Sequence, residues 1–226
     1  MVYLSYCRQM TRPLLNNFAI MQATKQTAIQ AEKETLRIET FSDGVFCIAV
    51  TLLSIEIGVE LHGEVNNKGL QEALLHKWPI CLAYVISFVN VLLAWIGHHG
   101  LFKMFRQSDN SIMVTNGLLL MLVALVPFPT KTLGAFLLTD ALQTAVIFYT
   151  GYFVLVSLGF RLLWYAANRK RELLVQDITA EQIKRTTRNE NIGLICNTII
   201  FGTAFINPWI ALALSFAMWL YWIFFS

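Results

Sequence analysis

Residues 79–97 (PICLAYVISFVNVLLAWIG) run for nineteen positions without one charged side chain. A helix needs about 20 such residues to cross a bilayer core of about 30 Å. In lipid every backbone N–H and C=O must find its partner inside the protein, and a helix meets that demand within a single segment. Only 14% of the 226 residues are charged and 56% are hydrophobic, with a mean hydropathy of +0.56. A soluble domain carries about a quarter charged residues, so the solvent for most of this chain is lipid.

The same reading finds six apolar stretches: residues 40–57, 79–98, 111–127, 141–164, 191–206 and 208–225. The predicted fold class is all-α, a polytopic membrane protein with six transmembrane helices. Asn207-Pro208 leaves almost no loop between the last two stretches, which are expected to form an antiparallel hairpin. Residues 1–36 are read as a cytosolic N-terminal segment, poorly ordered or peripheral, in which the polar residues 21–36 suit a surface helix. No convincing signal peptide begins the chain, because Asn16 and Asn17 break its short apolar run.

Charge placement tests this map. Arg8, Arg12, Lys25, Lys33 and Arg37 precede the first stretch, and Lys103 and Arg106 separate the second from the third. Arg161, Arg169, Lys170, Arg171, Lys184, Arg185 and Arg188 lie around the link between the fourth and fifth. Only Lys68, Lys77 and Lys131 fall on the opposite side. This asymmetry places both termini in the cytoplasm. The basic residues thus mark topology and imply no nucleic-acid partner. Trp78, Trp95, Trp164 and Trp209 fall near span ends and read as interfacial anchors, as do Trp219 and Trp222 toward the end of the last helix.

Catalytic signals are absent. The chain contains no GxSxG, no HExxH and no glycine-rich phosphate loop. His98 and His99 are adjacent, so on a helix their rings point about 100° apart and cannot share one metal. Cys7, Cys47, Cys81 and Cys196 lie far apart with no CxxC, which predicts neither disulfides nor a zinc site. The chain is not expected to be an enzyme. A TVGYG filter and arginine runs of the voltage-sensing kind are missing as well.

The first stretch (RIETFSDGVFCIAVTLLSIEI, residues 37–57) has chemistry of its own. At about 100° per residue, Phe41, Gly44, Ile48, Thr51, Leu52 and Ile55 fall on one stripe, bulky aliphatics flanked by a hydroxyl. Asp43 falls on nearly the opposite face. A carboxylate at that depth needs a partner, for which Arg37, Ser42, His98, His99 and Asn116 are the candidates. Asp43 and Glu56 are the main acidic residues of the spans. An aliphatic stripe on a membrane helix is most often lipid-facing or packed, and geometry alone does not lift it above that reading.

The segment Arg37-Ile-Glu-Thr-Phe41-Ser42-Asp43 matches the pattern RxxxFSD. It resembles the signature of the endosomal and lysosomal potassium channel family, in its prokaryotic branch. FSDGVFCIAVTLL is similar to that family's first helix, AWIGHHGLF to the end of its second and LVPFPTKTLGAF to the stretch after its third. The likeness covers about residues 35–225. It implies a six-helix subunit, residues 37–226, that assembles as a homotetramer around a central pore in the cell membrane. The first helix would line that pore, with Ile48, Leu52 and Ile55 as the constriction and Thr51 as the pore-lining hydroxyl. Arg37, Phe41, Ser42, Asp43 and His98 would form a packing network rather than a filter. Monovalent cations would be the partners, with potassium the permeant ion and no cofactor. The competing readings are a small secondary transporter or proton-leak pathway through Asp43 and a histidine, and a non-conducting scaffold. Broken helices in inverted repeats would mark a transporter, and none is visible.

Overall fold

A computed structural model describes residues 2–55, 57–58 and 66–225; Glu56 lies outside the described residues. The described residues form eight α-helices: α1 (Val2–Ile55), α2 (Asn67–His76), α3 (Trp78–Phe102), α4 (Asn110–Ala124), α5 (Pro127–Phe136), α6 (Leu142–Asn168), α7 (Ala180–Ala204) and α8 (Pro208–Phe225). Among the described residues, four segments are long and apolar enough to cross a membrane: Lys33–Ile55, Trp78–Phe102, Asn110–Phe136 and Leu142–Asn168.

The boundaries differ from expectation in physically simple ways. The segment read as poorly ordered or peripheral, residues 1–36, is helical from Val2 and runs into the first span without a break. The third span does not stop at residue 127. Pro127 and Pro129 interrupt the hydrogen-bond ladder, but proline is well placed at a helix start, and the backbone resumes as α5 after a two-residue turn. The Thr130 amide and hydroxyl both donate to the Val126 carbonyl, carrying the chain across the kink. Residues 191–206 form most of the second half of α7, whose first half is polar and opens with a capping box of Thr179 and Gln182. Asn207 then caps α8 by accepting from the amides of Trp209 and Ile210, and α7 and α8 pack together across that turn.

Two apolar cores hold the helices. One joins α1, α3, α4 and α6 through Phe46, Leu53, Leu119, Leu163 and Trp164. The other joins α3, α5, α6, α7 and α8 through Ala83, Leu133, Tyr149, Ile200 and Ala211. Lipid tails are as apolar as leucine, so close backbone approach matters more here than in water. At Gly134 a Cβ would stand 3.0 Å from the Ile80 Cα. Only glycine lets α5 come that near α3.

A polar cluster crosses the second core. The Tyr149 hydroxyl lies 3.0 Å from Ser87 Oγ and accepts from Asn90 Nδ2 at 3.1 Å. The Thr130 hydroxyl lies 2.7 Å from Ser87 Oγ and the Trp219 indole donates to Asn90 at 2.8 Å. Trp219 and Trp164, expected as interfacial anchors, are therefore buried instead; Trp164 donates to Thr187. Beyond the helix ends, the connections after α3 and α6 are zipped together. Arg106 N donates to Leu173 O at 2.8 Å, Val175 N donates to Met104 O at 3.0 Å, and Lys170 meets Asp109 at 2.6 Å.

Candidate functional site

The span portion of α1 presents two unlike faces. Ser42, Phe46, Ala49 and Leu53 recur at helical spacing and are all buried against α3 and α4. Phe41, Gly44, Ile48, Thr51, Leu52 and Ile55 are all exposed, Ile48 at 59% and Ile55 at 72%. The stripe read from the sequence is thus left uncovered by the subunit's own helices. It is interleaved with small and hydroxyl residues: Thr40, Gly44, Thr51 and Ser54. The Thr51 hydroxyl donates to the Ile48 carbonyl at 2.9 Å, which fixes its proton inward and leaves its lone pairs outward.

The buried face is fastened by side-chain hydrogen bonds. Glu39 accepts from His99 Nδ1 at 2.9 Å, and Asp43 accepts from Trp95 Nε1 at 2.8 Å. Glu39 and Asp43 are four residues apart on α1, and His99 and Trp95 are four apart on α3. Two one-turn pairs therefore meet across antiparallel helices. The Trp95 and His99 rings stack with centroids 5.9 Å apart, holding both donors in place. Nearer the helix start, Ser108 donates to Thr35 at 3.1 Å.

Deeper in the junction, Ser42 donates to the Ile38 carbonyl and accepts from Asn116 Nδ2 at 2.9 Å. With its amide so oriented, Asn116 turns Oδ1 toward His98 Nε2 at 2.9 Å, which makes Nε2 the protonated nitrogen. His98 is fully buried between Phe46 and Phe102, and its Nδ1 has no hydrogen-bond partner among the described residues. One asparagine from α4 thus ties α1 to α3.

Of the residues expected in this network, the structure brings Ser42, Asp43 and His98 to the α1–α3–α4 junction. Arg37 and Phe41 are exposed, and Arg37 contacts no described residue by hydrogen bond or ion pair. Asp43 is not partnered by any of the five candidates; its donor is Trp95, which had been read as an anchor. His99, a candidate partner for Asp43, pairs with Glu39 instead, and the sequence reading singles out neither Glu39 nor the bonding role of Trp95. The matched four-residue spacings on the two helices are the signal that could have found them.

The fold and this site define a multi-pass helical membrane protein whose leading span is clamped to its own subunit on one side and bare on the other. The family described as endosomal/lysosomal potassium channel TMEM175 matches residues 37–127. A potassium channel of Chamaesiphon minutus is 37% identical over 190 residues, 84% of this chain and 94% of that protein. One of Streptomyces collinus is 35% identical over a similar extent, 91% of its length. The crystal structure of a lysosomal potassium-selective channel TMEM175 homolog from Chamaesiphon minutus matches with a TM-score of 0.75, covering 85% of this chain and 97% of that one. The chain belongs to the TMEM175 family. The human relative, described as an endosomal/lysosomal proton channel, is 36% identical over 106 residues, only 21% of its own length.

Proposed function

We propose that this protein is a potassium channel in which four copies gather around an axis lined by α1, with Ile48, Leu52 and Ile55 as stacked aliphatic rings. The second half of α7 and α8 complete six membrane crossings per subunit. Residues 1–36 lie on the cytosolic side ahead of the channel domain, 37–226, and both termini face the cytoplasm of a cell-membrane protein. One observation carries the reading. The bare face of α1 mixes bulky aliphatics with hydroxyl and glycine positions, while Ser42, Phe46, Ala49 and Leu53 on another face are buried in the subunit. That mixture suits an axis shared with other copies better than contact with acyl chains.

The mechanism follows from desolvation. A narrow ring of isoleucine and leucine dewets, and a cation that gives up its water there is not compensated. The rings therefore act as a hydrophobic gate. Conduction requires the α1 helices to move apart or rotate until a partly hydrated ion fits. Potassium holds its water less tightly than sodium, so the ring favours potassium modestly. The outward lone pairs of Thr51 replace part of the lost hydration. Ser42, Asp43 and His98 carry no ion in this scheme; they keep α1 at a fixed angle to α3 and α4.

The test is the reversal potential of purified protein in liposomes under opposed potassium and sodium gradients. Ile48→Asn or Leu52→Asn is expected to raise conductance and lower potassium preference several-fold, because a polar ring stays wet. Unchanged currents in both variants would remove these residues from the path. The vertebrate relatives described as proton channels give the rival reading its support. A pH gradient that drives current in the absence of potassium, lost in Glu39→Gln or Asp43→Asn, would decide for a proton pathway.

A further inference from the structure

A second feature lies within the subunit, away from α1. Helices α3, α6, α7 and α8 line a partly open cavity of about 630 Å³. It runs from Asn90, midway along α3, toward Met104 and Thr186 at the end where the connections gather. Glycines open it. A Cβ at Gly100 would meet nothing within 4 Å, and at Gly97 and Gly193 the nearest atoms belong to Phe160 and Trp222 at 3.8 and 3.6 Å. The volume is in the range that holds drug-sized ligands.

The chemistry of the walls narrows the occupant. Among the described residues, Glu190 is the one ionisable side chain lining the cavity. It is half-buried and accepts no hydrogen bond from a described residue, although Arg161 acts on it from outside the lining. Phe153, Phe160, Trp219 and Trp222 give the space aromatic faces, which attract cations. Asn197 donates to Ser157 at 2.7 Å and to the Gly193 carbonyl, and its amide oxygen accepts from no described residue. An inorganic cation would find too few oxygens in walls that are mostly apolar. An acyl chain would leave the half-buried carboxylate without a counter-charge inside the cavity, which is unfavourable for a partly desolvated group.

We propose that this cavity is a binding site for a hydrophobic organic monocation, such as a quaternary ammonium or phosphonium with bulky arms. The cation sits between the Glu190 carboxylate and the Trp219 and Trp222 rings, and its arms fill the space beside Gly97 and Gly100. The site is separate from the α1 axis and stands whether or not the pore reading holds.

The experiment is equilibrium binding of radiolabelled tetraphenylphosphonium to the purified full-length protein in detergent, at mildly alkaline pH, with protein-free micelles subtracted. Saturable binding is expected. Glu190→Gln should weaken it about tenfold, the scale of one desolvated charge contact, while Glu190→Asp should retain most of it. Gly100→Phe should abolish binding by filling the space while leaving the elution volume and Tm near those of the parent. Uncharged triphenylphosphine oxide should not compete. The proposal is overturned by binding that survives both Glu190→Gln and Gly100→Phe, or by equal competition from the neutral analogue. Loss of binding on Ile48→Asn with none on Glu190→Gln would place the probe at the axis and overturn it too. So would absence of saturable binding together with a lipid co-purifying in the cavity.

Discussion

Asn116 illustrates how much one buried side chain can decide. Its amide donates to Ser42 and its carbonyl accepts from His98, so three helices share it. Asn116→Ala would leave a serine and a histidine facing each other across a void, both buried. An unmet buried polar group costs about 1–3 kcal/mol, so a clear drop in Tm is expected in a thermal melt of the detergent-solubilised protein. Asn116→Asp keeps the size but removes the donor to Ser42, and should fall between the two. Asp43 makes a different kind of contact, a carboxylate receiving an indole N–H. A double-mutant cycle of Asp43→Ala with Trp95→Phe is expected to show coupling on the order of 1 kcal/mol in unfolding, with potassium preference little changed in intact assemblies. Collapse of selectivity without loss of stability would give Asp43 a role in the ion path that its position does not suggest.

At the scale of elements, close approach and loop pairing make separate predictions. Gly134→Ala pushes a methyl into the Ile80 backbone and the Ala83 methyl, so α5 must retreat from α3. Overpacking of this kind costs about 1–3 kcal/mol. Gly117→Ala meets open space on α4, and should be neutral or stabilising by up to about 1 kcal/mol through helix propensity. Comparing the two Tm values separates packing from propensity. The loop pair centred on Asp109 adds a pH dependence. Its hydrogen bond to Lys170, then the Ile112 amide of the α4 cap, hold its carboxyl below the ordinary 3.8. Since the folded value is the lower one, this stabilisation is complete above 3.8 and is lost as pH falls below it through the folded value. Acid unfolding monitored by tryptophan fluorescence should show that increment in the parent and a shallower slope in Asp109→Asn.

These elements also show what could be read in advance. Four of the six expected spans were legible because lipid leaves a plain mark, long runs without charge, and the two faces of α1 followed from the 100° period. Continuity through Pro127 was not legible, since proline announces a break whether the chain kinks or stops. The clamp was only half legible. Ser42, Asp43 and His98 stood out as polar residues at depth. Asn116 was in view among the candidate partners, but the donor to Asp43 was hidden, because Trp95 looks like any interfacial tryptophan until α3 is laid antiparallel to α1.

For the whole molecule the question is what covers the bare face of α1, since Ile48, Leu52 and Ile55 remain open to the surroundings in a single subunit. Lipid and sister subunits make opposite predictions about distance. If four α1 helices ring an axis, residues at the constriction approach their own copies, and cysteines there fall within the Cα separation of about 7 Å that a disulfide can bridge or close to it. If α1 faces acyl chains, copies of one position stay far apart. The experiment introduces Ile48→Cys or Leu52→Cys into a chain from which Cys7, Cys47, Cys81 and Cys196 have been replaced. A control places Val85→Cys on α3, where the native side chain is 52% exposed. Under mild oxidation in membranes, the first two should give covalent dimers and the control should stay monomeric. Native mass spectrometry of the parent should give four copies of the 25.7 kDa chain. Dimers from Val85→Cys but not from Ile48→Cys would turn the assembly inside out, placing α3 at the contact between copies and α1 toward lipid. The aliphatic rings would then have no axis to surround.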